Sequence, residues 1–147
     1  MAAPAGSGPA AGRRMEEEDS AVLKFGPDFS RAKALMNSEV AQILEHKRQI
    51  MQGKGAQPKS DFLKAYQYVN TVKQFRDREV VSQVRRDLEK HPALDAFEVA
   101  QLGNLVPQDV QEARTLIPSL DMPGRSIDNA QLAELIDQLN MNRQFGT

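Results

Sequence analysis

Two histidines, His46 and His91, are the only side chains in this chain whose ordinary pKa lies near neutrality and that could also ligate a metal. They lie far apart, and neither belongs to a His-Glu-x-x-His pair, so the zinc-hydrolase arrangement of two ligands one helical turn apart is missing. Cysteine is absent, which excludes disulfides, thiolate metal sites and a thiol nucleophile. The glycine-containing stretch GKGAQPK, residues 53–59, lacks the Gly-x-x-x-x-Gly-Lys-Ser/Thr spacing that cradles phosphate, and no Gly-x-Ser-x-Gly elbow occurs. The carboxylate pairs Glu16/Glu17 and Asp87/Glu89 sit in polar surroundings where nothing would raise a pKa for general-acid work. These residues predict no catalytic residue, no metal and no cofactor. His91 falls at the end of a helical pattern, where a protonated ring would favour the helix dipole.

One cluster could contact phosphate. Lys73, Arg76, Arg78, Arg85, Arg86 and Lys90 surround a single helical segment, a candidate for RNA contact. Asp77, Glu79, Asp87 and Glu89 interleave with them, so a solvated face with i,i+4 ion pairs fits the same pattern. The whole chain carries 19 basic and 20 acidic residues, a balance that argues against a dedicated duplex-DNA binder.

The elements that would position these groups are helical. Ala, Leu, Gln, Glu, Lys and Arg dominate, tryptophan is absent and aromatics are 5% of the 147 residues. No apolar run is long enough to span a bilayer and no secretory signal is legible, so a soluble intracellular protein without membrane association is expected. Residues 1–20, rich in Ala, Gly and Pro and ending in an acidic run, read as a disordered tail. Residues 21–27, AVLKFGP, are too short for a helix before their Gly-Pro breaker. They fit an extended segment that adds to a partner's sheet, or a loop pinned on the chain's own helices.

A first helix is predicted over 38–51, capped by Asn37 or Ser38, with Val40, Ile43, Leu44, Lys47 and Met51 along one side. A connector at 53–59 follows. The rest, 60–147, reads as about five short helices with apolar stripes such as Val81/Val84/Leu88 and Leu132/Leu135/Ile136/Leu139. Asp77, the Asp95/Glu98 pair and the Asp128/Gln131 pair are its cap signals. Gly103-Asn104 and Pro107 fit the end of one helix and the start of the next, and Leu116 is expected to face inward. The architecture is thus all-α: a short helical bundle with an N-terminal extended segment and a separate helix. The apolar stripe before the connector must cover part of the bundle or be covered by another chain.

Three stretches carry a further likeness. ALMNSEVAQILEHK (34–47), YVNTVKQFRDRE (68–79) and FEVAQLGNLVPQDVQEARTLIPSL (97–120), in this order, resemble the family of the fourth-largest subunit of RNA polymerase II. The resemblance covers residues 21 to about 145. It implies a nuclear, non-catalytic subunit of the polymerase stalk, with a bundle similar to the helicase-and-RNase-D C-terminal domain. It also implies pairing with the seventh polymerase subunit, which carries an OB-type fold, and through it docking on the polymerase core near emerging RNA. Transferred onto this chain, Val22, Leu23 and Phe25 match the partner-pairing segment, and Leu35, Met36, Val40, Ile43 and Leu44 the partner-facing helix. Residues 21–52 would then be the partner-binding unit and 60–147 the platform. A related plant silencing polymerase would use the same fold and partner class, and a free-standing helical nucleic-acid-binding module is the competing reading.

Overall fold

Short acidic side chains start most of the helices. Asp77 accepts from the backbone N–H groups of Glu79 and Val80, and Asp109 from that of Glu112. Asp95 and Asp128 each cap a helix reciprocally with a residue three positions on, Glu98 and Gln131. In the computed structural model, which describes residues 17–125 and 127–145, these caps delimit an all-helical chain. Its α-helices are α1 (Gly26–Phe29), α2 (Asn37–Gly53), α3 (Ser60–Val72), α4 (Arg78–Glu89), α5 (Ala96–Leu105), α6 (Val110–Leu116) and α7 (Asn129–Phe145). Two 3-10 turns, Ser20–Val22 and Pro118–Asp121, complete it. Among the described residues no strand forms, and Asp19 and Lys24 pair as an isolated bridge. Most of the expected tail lies outside the described residues.

The core is built from the stripes that periodicity predicts. Val81, Val84 and Leu88 of α4 meet Leu132, Leu135, Ile136 and Leu139 of α7, with Val99 and Leu102 of α5 closing the space. Phe75, in the short α3–α4 joint, is buried among them. Three local readings change. Helix α5 runs through Gly103 and ends at Val106, whose left-handed backbone (φ 42°) donates its N–H to Leu102. A β-branched residue there is strained by about 1–3 kcal/mol, which burial of its side chain offsets. Pro107 lies ahead of α6, because Asp109 is the better cap. Leu116 faces outward, since Ala113 and Ile117 fill the inward positions.

The N-terminal portion is folded back on the chain. Residues 20–29 are helical turns rather than an extended segment, because Leu23 adopts a left-handed conformation (φ 58°) and Gly26-Pro27 start α1. The first turn packs on the Pro118–Asp121 turn. Phe25 packs against Phe97 of α5, with ring centroids 4.9 Å apart. Helix α2 is not detached: it lies along α3 as an antiparallel pair joined by residues 54–59.

Candidate partner interface

Helix α2 has no ordinary N-cap side chain. Met36 occupies the cap, and Glu39 reaches back to accept from its backbone N–H at 2.7 Å. The Glu39 carboxylate is clamped by Arg85 of α4, whose Nε donates at 2.8 Å, and Arg85 also donates to the Ala34 carbonyl at 3.0 Å. Asn37 donates its backbone N–H to Asn104 Oδ1 of α5, and Ser38 Oγ accepts from the Phe75 N–H. The Met36 side chain is fully buried and rests on Gly103, where a Cβ would come within 2.1 Å of its sulfur. The start of α2 is therefore fixed to α4, α5 and the α3–α4 joint by an ion pair, three hydrogen bonds that each use one backbone group, and a buried thioether.

Burial alone would raise the Glu39 carboxyl. The Arg85 hydrogen bond, the Met36 N–H and the charges of Arg85 and Lys33 outweigh it and hold the group below its ordinary value. The same hydrogen bond raises the Arg85 guanidinium. A folded-state pKa below the unfolded 4.5 means that the pair stabilises the fold fully above that pH and loses its effect as pH falls through the folded value. Glu39→Gln should cost about 2 kcal/mol at pH 7. In urea melts across pH 3 to 7 the gap to wild type should close on acidification. A gap independent of pH would show that the charge on Glu39 contributes nothing.

The two sides of α2 differ. Toward α3 lie Ala41, which is buried, Glu45, which accepts from the Tyr66 hydroxyl, and Arg48, whose guanidinium sits 5.2 Å from the Tyr66 ring centre. The Tyr66 hydroxyl, then Arg48, hold the Glu45 carboxyl below its ordinary value. About a third of a turn away, by helical geometry, run Val40, Ile43, Leu44, Lys47, Ile50 and Met51. Ile43 is 54% exposed, and Val40, Leu44 and Met51 are half-buried. Beside this stripe is a groove of about 590 Å3 lined by Leu35, Gln42, Ile43, His46, Gln49 and Arg78 among others. Gln42 Nε2 is buried at its wall without a hydrogen-bond acceptor among the described residues.

The residues transferred from the resemblance thus separate. Leu35, Val40, Ile43 and Leu44 lie together on or beside the open stripe, and Val22 is exposed. Leu23 and Phe25 are half-buried against the chain's own bundle. Met36 leaves the partner-facing set, because it fills the chain's own core. The basic cluster also disperses. Arg85 is spent on Glu39 and Ala34, Lys90 pairs with Asp87 at 3.0 Å, Arg86 bonds Gln83, and Lys73 is held by Asn70 Oδ1 at 2.7 Å. Arg76 and Arg78 stay exposed, but Arg78 lines the α2 groove instead of joining the others. Among the described residues no three His, Asp or Glu side chains come together as a metal-ligand set, and no helix is long and apolar enough to cross a membrane.

Sequence reasoning missed the Glu39–Arg85 clamp and the Met36–Gly103 contact. A glycine inside a helical pattern was the available signal for the second.

The family model for RNA polymerase Rpb4 matches residues 34–143, which span α2 through most of α7. The chain belongs to the RNA polymerase Rpb4 family. It is 39% identical to DNA-directed RNA polymerase II subunit 4 of Arabidopsis thaliana, over 88% of this chain and 96% of the relative. It is 33% identical to subunit rpb4 of Dictyostelium discoideum, over 88% and 92%, and 35% identical to that of Schizosaccharomyces pombe, over 90% and 97%. The Rpb4 match takes in the entire α2 stripe and its anchors on α4 and α5 but begins after Val22 to Phe25.

Proposed function

We propose that this Rpb4-family chain is a non-catalytic structural subunit of nuclear RNA polymerase II, part of its stalk. In this reading it forms a heterodimer with the OB-fold seventh subunit and through it docks on the polymerase core, in support of initiation and of nascent-RNA handling. The observation that carries the reading is the open α2 stripe. A rigidly anchored helix keeps Val40, Ile43, Leu44 and Ile50 partly or largely open to solvent along one stripe. An apolar face held in one orientation by an ion pair is prepared for docking, because little ordering entropy remains to be lost on association. Covering several large side chains at about 25 cal/mol per Å2 supplies several kcal/mol before association costs. The bundle from α3 onward holds α2 in place.

The test is Val40→Asp combined with Leu44→Asp. Both positions are half-exposed, so the free chain should keep its melting temperature within a few degrees. Co-purification with the seventh subunit should fall at least tenfold, about 1.4 kcal/mol or more. Unchanged recovery of that subunit would put the interface elsewhere.

A further inference from the structure

We infer that Arg78 is a specificity-determining residue of the α2 face: it takes a carboxylate on the partner's docking segment, so the groove beside the stripe accepts a segment that is both apolar and acidic. The inference rests on the reading of the α2 stripe as the partner interface, and adds to it the sign of charge that the partner must present there.

An apolar stripe alone discriminates weakly among apolar partners, and charge is what rejects the wrong ones. The groove of about 590 Å3 beside the stripe has two carboxylates in its walls, Glu39 and Glu45. Both are already matched within the chain. Arg85 Nε donates to Glu39 at 2.8 Å, and Glu45 is held by Arg48 at 3.3 Å and by the Tyr66 hydroxyl. Arg78 is the contribution of α4 to the same walls. It is exposed and has no ion-pair partner among the described residues. Lys47, on the stripe itself, is also exposed and without an ion-pair partner there. The anions of this surface are therefore neutralised and two of its cations are not. A segment carrying Asp or Glu is attracted, and one carrying Lys or Arg is repelled.

The position of Arg78 in its own helix points the same way. It is the first residue of α4, directly after the Asp77 cap. The N-terminal end of a helix is the positive end of its dipole, where a carboxylate is favoured and a cation is not. The first turns of α1, α2, α3, α5 and α6 follow that rule with Asp28, Glu39, Asp61, Glu98 and Glu112. Among the described helices only α4 has a cation in its first turn. Local stability would place a glutamate at 78. A guanidinium there, at the groove and without a partner inside the chain, is available to an outside carboxylate, which its planar fork can hold through two parallel hydrogen bonds.

Binding of the full chain to the purified seventh subunit, followed by biolayer interferometry at about 50 and about 500 mM salt, tests this. Arg78→Glu should weaken binding about tenfold at the lower salt, with the gap to wild type narrowing at the higher. Arg78→Lys, which keeps the charge and loses the fork, should fall between them. Arg78→Glu should melt no lower than wild type, since glutamate suits the start of a helix; a residue needed only for the fold would show the reverse. Arg76→Glu, exposed nearby but outside the groove walls, should stay within about twofold of wild type. Wild-type affinity in Arg78→Glu overturns the assignment, and so does an equal loss in Arg76→Glu, which would mark a diffuse field in place of a contact. Val40→Asp with Leu44→Asp separates the two claims. Unchanged binding in that variant removes the α2 interface and the role of Arg78 with it. Lost binding there with intact binding in Arg78→Glu removes the role of Arg78 alone.

Discussion

Replacing Glu98 by Ala should destabilise the fold by about 4 kcal/mol, the cost of breaking a buried ion pair from one side. Glu98 is fully buried in the first turn of α5. One carboxylate oxygen accepts from the Asp95 N–H at 2.8 Å and from the Arg125 guanidinium, and the other accepts from Ser119 Oγ at 2.6 Å. Arg125 in turn donates to the Ala93 carbonyl at 2.7 Å. The single side chain therefore joins the start of α5, the Pro118–Asp121 turn and the loop before α7. Alanine would leave a guanidinium, a hydroxyl and a helix-start N–H without their acceptor, and would open a cavity at the centre. Arg125 keeps 18% of its side chain exposed, so water can solvate part of the released charge, which places the cost in the middle of the range for buried pairs. The melting temperature should fall by roughly 15 °C. Ser119→Ala, which removes one hydrogen bond and leaves the pair intact, should cost about 1 kcal/mol. Urea unfolding separates these sizes. A Glu98→Ala loss no greater than that of Ser119→Ala would show that the carboxylate is not the junction.

The helices were legible in the sequence wherever their signals are local. Asp77, Asp95 with Glu98, and Asp128 with Gln131 sit at cap spacing, and each caps as its type predicts. The stripes of α4 and α7 are buried as periodicity requires. What failed were features set by distant residues. Glu98 is a recognisable capping residue, yet nothing near it in sequence announces Ser119 or Arg125 as further partners. The start of α2 was misread because Asn37 and Ser38 have cap chemistry, but the Ser38 hydroxyl is taken by the Phe75 N–H, and Asn37, whose backbone N–H donates to Asn104, already lies inside the helix. Glu39 then caps the helix from inside. At the candidate interface, Val40, Ile43 and Leu44 follow from periodicity, while Met36, one step outside the helix, escapes it. Arg85 looked like one cation among several, and only its pairing with Glu39 shows that it is a clamp. For residues 21–27 the sequence leaves two readings open, an extended segment on a partner or a loop pinned on the chain's own helices, because a short apolar run before Gly-Pro has no periodicity to read; the segment folds back on the chain as in the second.

Gly103→Leu should have an effect of comparable size, about 4 kcal/mol, from overpacking together with lost burial of Met36. In an open helix interior, replacing Gly with Ala would gain about 1 kcal/mol. Here even that Cβ falls 2.1 Å from the Met36 sulfur and 2.8 Å from its Cγ. A methionine can usually swing aside, but this one is fully buried, so it can yield only by leaving the core. Its departure would pull on the cap of α2, which the Met36 N–H makes with Glu39, and so on the orientation of the Val40–Leu44 stripe. Hydrogen exchange should therefore rise first across residues 34–45 in Gly103→Leu, while the α4 and α7 amides stay protected. A double-mutant cycle isolates the contact. Gly103→Ala alone should destabilise by about 2 kcal/mol. In a Met36→Ala background the same change should be neutral or stabilising, because the clash is gone and only helix propensity remains. If Gly103→Ala cost the same in both backgrounds, the close approach of α2 to α5 would not be what requires glycine, and the clamp of Arg85 on Glu39 would be left as the chief anchor of the partner-facing helix.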